Sequence, residues 1–232
     1  MRPFFSCNSK MIPFRRTQLD TEALFSFSCS RCLKCCQHKK IQVNPYEIAR
    51  LAGNLSISTT DFIARYTTEN GSFLKFDENC TCLFLGPDGC RVHADRPLVC
   101  RLYPLARHVN GMGEEWFSEL ESEEGCAGRY GSVGSIREYL EAEGTAPFTQ
   151  AADSYLKLLW EMMDKLEDSA STEEKTGSAE IDSNDPDESE SWLDMDAAVR
   201  SYCRKTELPF PLDVGDKTRI HQNALQQWIN HQ

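Results

Sequence analysis

The chain has 232 residues, 40% of them hydrophobic, with a formal charge of −11; this is enough apolar surface for one sizeable domain with appendages, so disulfide staples are not needed for size alone. No run of about eighteen apolar residues exists, which excludes a membrane-spanning helix, and the absence of a basic stripe argues against a nucleic-acid partner. The acidity is local: residues 167–191 carry ten acids and one lysine, a balance of −9 that leaves −2 for the rest of the chain.

Arg2, Lys10, Arg15 and Arg16 interrupt every apolar run in the first thirty residues. No signal segment of about 7–15 apolar residues is therefore expected, and the expected compartment is the cytoplasm, where thiols stay reduced. Residues 1–22 read as a loosely held arm. Phe25 and Phe27 then alternate with small residues in ALFSFSC, the period of a half-buried strand leading to Cys29. After the extended IQV, Asn44 reads as a helix cap, Pro45 as the first helical residue and Glu47 as the closing member of a capping box. Ile48, Leu51 and Ala52 form the inner stripe and Gly53 the stop. A second helix starts near Ser58, with Phe62, Ile63 and Tyr66 as its apolar members.

Phe73–Phe76 and Thr81–Leu85 read as short strands, and GPDG at 86–89 as a turn. ADRPLVCRLYP is expected as a short helix entered through Asp95 and Pro97 and stopped before Pro104. Asn110-Gly111 between extended arms predicts a hairpin over Arg107–Phe117. Gly128, Gly131 and Gly134 follow no convincing strand, so they are expected to permit close backbone approach near Cys126 and not to form a dinucleotide loop. Helices follow at about 136–143 and 149–166. Beyond a Ser/Asp/Glu-rich segment too polar to bury its own ordering cost, Trp192, Met195, Val199 and Tyr202 mark another helix, and Ile220, Ala224 and Trp228 a last one.

The chemistry lies in the cysteines. Eleven are present, and Cys29, Cys32, Cys35 and Cys36 fall within eight residues. Separations of two residues let a tight turn aim successive thiolates at one point, as zinc knuckles and ferredoxin loops do. Adjacent side chains diverge in extended backbone, so Cys35 and Cys36 are expected to face different centres, or to divide into ligand and support. Cys80, Cys82, Cys90, Cys100 and Cys126 follow, while Cys7 and Cys203 stand apart as ordinary small hydrophobes. Nine cysteines between residues 29 and 126 are too many for one tetrahedral ion; two four-thiolate sites, or one site with spare thiols, both remain open.

SCSRCLKCC, the IQVNPYEIARLA helix, CLFLGPDGCRVHADRPLVCRLYP and a final cysteine before spaced glycines together resemble the YkgJ-type cysteine-cluster family. That family is described as zinc- or iron-chelating, and the resemblance covers about Phe27–Tyr139. Carried over position by position, it implies that Cys29, Cys32, Cys35, Cys36, Cys82, Cys90, Cys100 and Cys126 are the metal ligands, with Cys80 an additional thiol. It also implies the choice of cofactor, zinc or iron, the latter as an ion or an iron–sulfur cluster, and it tips the balance toward iron. The family includes larger flagellin lysine N-methylases, of which this chain resembles only the cysteine-bearing part.

A buried four-thiolate centre carries net negative charge, so nearby cations are expected to compensate it. Arg96 and Arg101 flank Cys100 and are the better candidates; Arg31 and Lys34 are the weaker. His93 is not expected as a ligand, and His38, Lys39 and Lys40 are expected at the surface. No Ser-His-Asp set, P-loop or HExxH appears, so no catalytic residue is assigned. The favoured function is a metal-binding module, and the alternative is an enzyme related to the protein-lysine N-methylases that uses a cysteine-bound metal. The expected architecture is α+β: a small irregular cysteine-centred domain at 23–166, a disordered acidic linker at 167–191, and C-terminal helices at 192–232. Those helices dock back on the domain or serve a protein partner.

Overall fold

The computed structural model describes residues 12–173 and 192–231, with side chains at 12–165 and 192–230. Cys7 and residues 174–191 of the expected linker lie outside that range. Strands β1 (Phe14–Leu19) and β2 (Leu24–Ser28) come first, followed by helices α1 (Pro45–Asn54) and α2 (Thr59–Tyr66). Four two-residue strands come next: β3 (Thr67–Thr68), β4 (Phe73–Leu74), β5 (Leu85–Gly86) and β6 (Gly89–Cys90). The chain continues through α3 (Leu98–Leu102), β7 (Leu105–Val109), β8 (Glu115–Leu120), β9 (Arg129–Ser135), α4 (Ile136–Ala142) and α5 (Ala146–Glu173). It closes with α6 (Met195–Thr206) and α7 (Val214–His231). The mixture of helices and small sheets is the expected α+β class.

Two compact units divide these elements, one holding the chain up to Val43 plus Phe73–Thr149, the other holding Asn44–Ser72 plus the chain from Gln150 onward. The first unit carries the sheets. β7 and β8 form the hairpin that Asn110-Gly111 predicts, in register from Leu105 opposite Glu119 to Val109 opposite Glu115. The Asn110 side chain holds the turn by accepting from the N–H groups of Met112 at 3.0 Å and Glu114 at 2.9 Å. β1, within the expected N-terminal arm, pairs antiparallel with β8, and Glu119 of β8, nearly buried, takes Arg15 at 3.2 Å and Arg16 at 2.6 Å.

β2 pairs with β9, Phe27 opposite Tyr130 and Ser26 opposite Gly131. The glycine-spaced segment is therefore a strand, contrary to the sequence reading, and its glycines make room for β2 itself. A Cβ on Gly128 would stand 2.3 Å from the Phe27 ring, and one on Gly131 would stand 2.6 Å from Ser26 Oγ. The expected strands at 73–76 and 81–85 shrink to single bridges and two-residue pairs. Between them Asp77 folds the chain sharply, its carboxylate accepting from Asn79 N–H and Thr81 N–H, each at 2.9 Å. Leu85 N–H then turns back to the Cys82 carbonyl at 2.9 Å. GPDG is the expected turn, with Leu85 opposite Cys90.

The second unit is helical. Asn44 and Glu47 form the capping box as expected, and Ile48, Leu51 and Ala52 are the buried stripe of α1. Phe62 of α2, Met195 and Val199 of α6, and Leu225 and Ile229 of α7 complete its core. On α7 the buried stripe includes Ile220, His221, Leu225 and Ile229, while Trp228 is 38% exposed, so the expected inner Trp228 is displaced by Ile229. The starts of α2 and α6 cap each other: Thr59 N–H donates to Asp196 at 3.0 Å, Asp196 N–H to Thr59 Oγ1 at 2.8 Å, and Asp194 accepts from Thr59 and Thr60. Cys203 is buried here among apolar residues, which is the ordinary hydrophobic role expected for it.

Candidate metal centre

Every predicted ligand lies in the first unit, and the local folding of the cysteine runs explains how they are presented. Cys29 follows the end of β2, where its sulfur accepts the N–H of Arg31 at 3.4 Å. Arg31 and Leu33 both have left-handed backbone, at φ 53° and 64°, so the chain coils tightly from one cysteine to the next. Cys32 accepts main-chain N–H groups from Lys34 and Ala127. Cys82 accepts from Phe84, Cys90 from Val92, and Cys126 from Gly128 at 3.4 Å. Cys29, Cys32, Cys82, Cys90 and Cys126 thus share one device, a turn in which the N–H two residues on points at the sulfur. Such a donor stabilises a thiolate over a thiol.

Tertiary pairing gathers these turns. Cys82 N–H donates to the Cys36 carbonyl at 2.9 Å and His38 N–H to the Cys80 carbonyl at 2.7 Å, so segments 36–38 and 80–82 run side by side. Cys126 arrives from the other direction, with its sulfur 3.5 Å from that of Cys32. A half-buried ion pair from Lys39 to Glu123 joins the two stretches; Lys39 is therefore not the surface residue expected. Cys100 stands on α3 and is exposed, as is Cys29, while Cys32, Cys35, Cys36, Cys82, Cys90 and Cys126 are half-buried. All eight are free thiols. Cys80 is disulfide-bonded and contributes none, which leaves Cys82 as the free thiol of the middle pair.

Electrostatics shows which thiols feel one another. The Cys35 and Cys36 side chains are hydrogen-bonded, contrary to the expected divergence, because a 3-10 turn over Lys34–Cys36 brings neighbours together. That bond holds the Cys35 thiol down at about 7, with a further pull from Lys39, and pushes Cys36 well above the thiol range, where burial and the charges of Cys35, Cys100 and Cys82 add to it. Burial raises Cys82, Cys90 and Cys126. Burial also pushes Cys32 up, but its main-chain donors and the Cys126 and Ser30 side chains outweigh that and lower it. Cys35, Cys36, Cys82, Cys90 and Cys100 therefore form one interacting set, with Cys32 and Cys126 a contacting pair. Among the described residues, no three such side chains already stand as a finished ligand group.

The flanking cations Arg96 and Arg101 take different roles. Arg96 lowers the Cys90 thiol through its charge but pairs directly with Glu143. Arg101, only 7% exposed, donates to the main-chain carbonyls of Arg96 at 3.0 Å, Glu143 at 2.9 Å and Ala94, and lies 4.0 Å over the Phe148 ring. Those bonds hold the loop between Cys90 and Cys100. His93 contacts Arg96. An aromatic wall escaped the sequence reading: the Phe27 ring meets those of Tyr130 at 5.0 Å and Tyr103 at 6.0 Å, and Tyr139 donates to the Tyr103 carbonyl at 2.6 Å. Burial raises Tyr103 and Tyr139, and the charges of Cys35 with Cys126 or Cys29 add to the shift. Alternating Phe25 and Phe27 signalled one side of that wall; the tyrosines, about a hundred residues further along the chain, carried no local signal.

Irregular loops gathered around reduced cysteines, with main-chain donors aimed at sulfur, are the build of a metal-chelating cysteine-cluster domain. Residues 28–127 match the family described as "CxxCxxCC: Putative zinc- or iron-chelating domain". Comparisons with curated proteins and with solved structures find no match. No helix among the described residues is long and apolar enough to cross a membrane.

Proposed function

We propose that this protein is a metal-binding module that holds zinc or iron through Cys29, Cys32, Cys35, Cys36, Cys82, Cys90, Cys100 and Cys126. The observation that carries this reading is the repeated turn at Cys29, Cys32, Cys82, Cys90 and Cys126, each presenting an N–H to its own sulfur. A structural disulfide or a buried apolar cysteine has no use for such donors, whereas a thiolate ligand does. The Cys32–Cys126 separation of 3.5 Å supports it, being close to the ~3.8 Å between sulfurs on a tetrahedral ion with bonds of about 2.3 Å. Zinc bound there would fix the loops; iron would add redox chemistry, as an ion or as a cluster shielded by Phe27, Tyr103, Tyr130 and Tyr139.

The charge interactions suggest how ligands divide. Cys35, Cys36, Cys82, Cys90 and Cys100 supply the ligands of one centre, and Cys32 and Cys126 belong to another, with Cys29 close by in sequence. Anaerobic purification of the full chain, elemental analysis and a visible spectrum test the reading. Stoichiometric zinc in a colourless protein, or iron with absorption near 400 nm as expected of iron–sulfur ligation, supports it. A reduced, folded chain that takes up neither metal refutes it.

A further inference from the structure

The Tyr103 hydroxyl is buried and has no aligned hydrogen-bond partner. The other tyrosines of the wall are satisfied, Tyr130 donating to the Leu120 carbonyl at 2.7 Å and Tyr139 to the Tyr103 carbonyl at 2.6 Å. The Tyr103 ring meets the edge of Phe27, and Tyr139 bonds its main chain. The Glu123 main-chain N–H lies close enough to act on it. That group is a donor, however, and leaves the phenolic proton without an acceptor. Burying an unused O–H is costly, and a native site of this kind calls for an acceptor that arrives later.

The thiols whose charges reach the Tyr103 ring are Cys126 and Cys35. Both belong to the proposed ligand set, and a metal-bound thiolate is an acceptor with free lone pairs where a neutral thiol is a poor one. We infer that Tyr103 donates its hydroxyl proton as a hydrogen bond to the metal-bound sulfur on the Cys126 and Cys35 side of the loaded centre, positioning that ligand and drawing charge from it. This rests on the metal-binding reading above. Tyr103 is a positioning residue: it touches a ligand and not the metal.

Cobalt(II) provides the probe, because its thiolate-to-metal charge-transfer band reports the electron density on sulfur. The full-length, reduced chain and its Tyr103→Phe variant are titrated with cobalt(II) without oxygen, with Tyr130→Phe as the control. Tyr103→Phe takes up the same amount of cobalt with about tenfold weaker affinity, the ordinary loss for a partner of a metal ligand. Its band moves to longer wavelength, since the sulfur electrons are no longer held by the donated proton, while the band of Tyr130→Phe stays in place. Equal uptake with unmoved band and affinity overturns the role of Tyr103 alone; no uptake by the unsubstituted chain overturns the metal-binding reading and this inference with it. Should Tyr103→Phe fail to fold, 3-fluorotyrosine in the unsubstituted chain gives the second measurement. Its more acidic hydroxyls donate more strongly and move the band to shorter wavelength, and an unmoved band overturns the proposal.

Discussion

Arg101→Met removes a cation that is 7% exposed and donates to the carbonyls of Ala94, Arg96 and Glu143. Each hydrogen bond from a charged donor contributes about 1.5–3 kcal/mol. Met keeps most of the apolar volume over Phe148, and the partly exposed carbonyls recover some water, so the three bonds together amount to about 3–4 kcal/mol rather than their full sum. For a chain of this size that lowers the midpoint of thermal unfolding by about 10 °C. Arg101→Lys does not restore it, because one ammonium cannot span three acceptors in the fork that guanidinium provides. The loop between Cys90 and Cys100 loses its anchor, so metal content falls in both variants. Differential scanning calorimetry of the metal-free chain checks the stability, and elemental analysis the binding. A midpoint within 2 °C of the parent, or full rescue by lysine, would refute the claim that this arginine works through main-chain carbonyls.

Acid sensitivity follows from His221, which is buried in α7 beside Tyr155, 2.8 Å from its hydroxyl, and is held by burial at about 4 against a usual 6.5. The folded state keeps the ring neutral, so its contribution is fully present above about pH 6.5 and is lost as pH falls toward 4. The loss is about 2 kcal/mol by pH 5 and about 3 kcal/mol in full; urea titrations from pH 7 to 4.5 show it, and His221→Gln removes that part of the slope. Gly128→Ala places a methyl 2.3 Å from Phe27 and destabilises by about 1–3 kcal/mol. Gly53→Ala on α1, with open space around it, stabilises by about 0.5–1 kcal/mol, and thermal melts of the pair should move in opposite directions. Finally, Cys32→Ser lowers the zinc or iron content of the anaerobically purified chain, while Cys203→Ala, at a cysteine buried in the helical unit and outside the ligand set, leaves it unchanged.

Where a rule acts over a few residues, the amino-acid sequence determined the outcome unaided. The Asn44–Glu47 capping box, the Ile48, Leu51, Ala52 stripe, the Asn110-Gly111 hairpin and the short helix around Cys100 follow from capping, periodicity and turn chemistry that neighbouring residues settle among themselves. The CxxCxxCC run and the RPxxCRxYP run, met in order, likewise carried the family resemblance. Tertiary structure decided what depends on partners distant along the chain. β9 is a strand because it pairs with β2, where Gly131 leaves room for the Ser26 hydroxyl opposite it. Cys35 and Cys36 meet because the chain winds into a 3-10 turn over Lys34–Cys36. Arg101 reaches the Glu143 carbonyl because α4 ends beside it. The Tyr103 hydroxyl lies buried and unpaired because Phe27 of β2, distant along the chain, packs against its ring. Spacing can nominate thiols, but only the closing of long loops fixes which sulfur, which donor and which charge share a space.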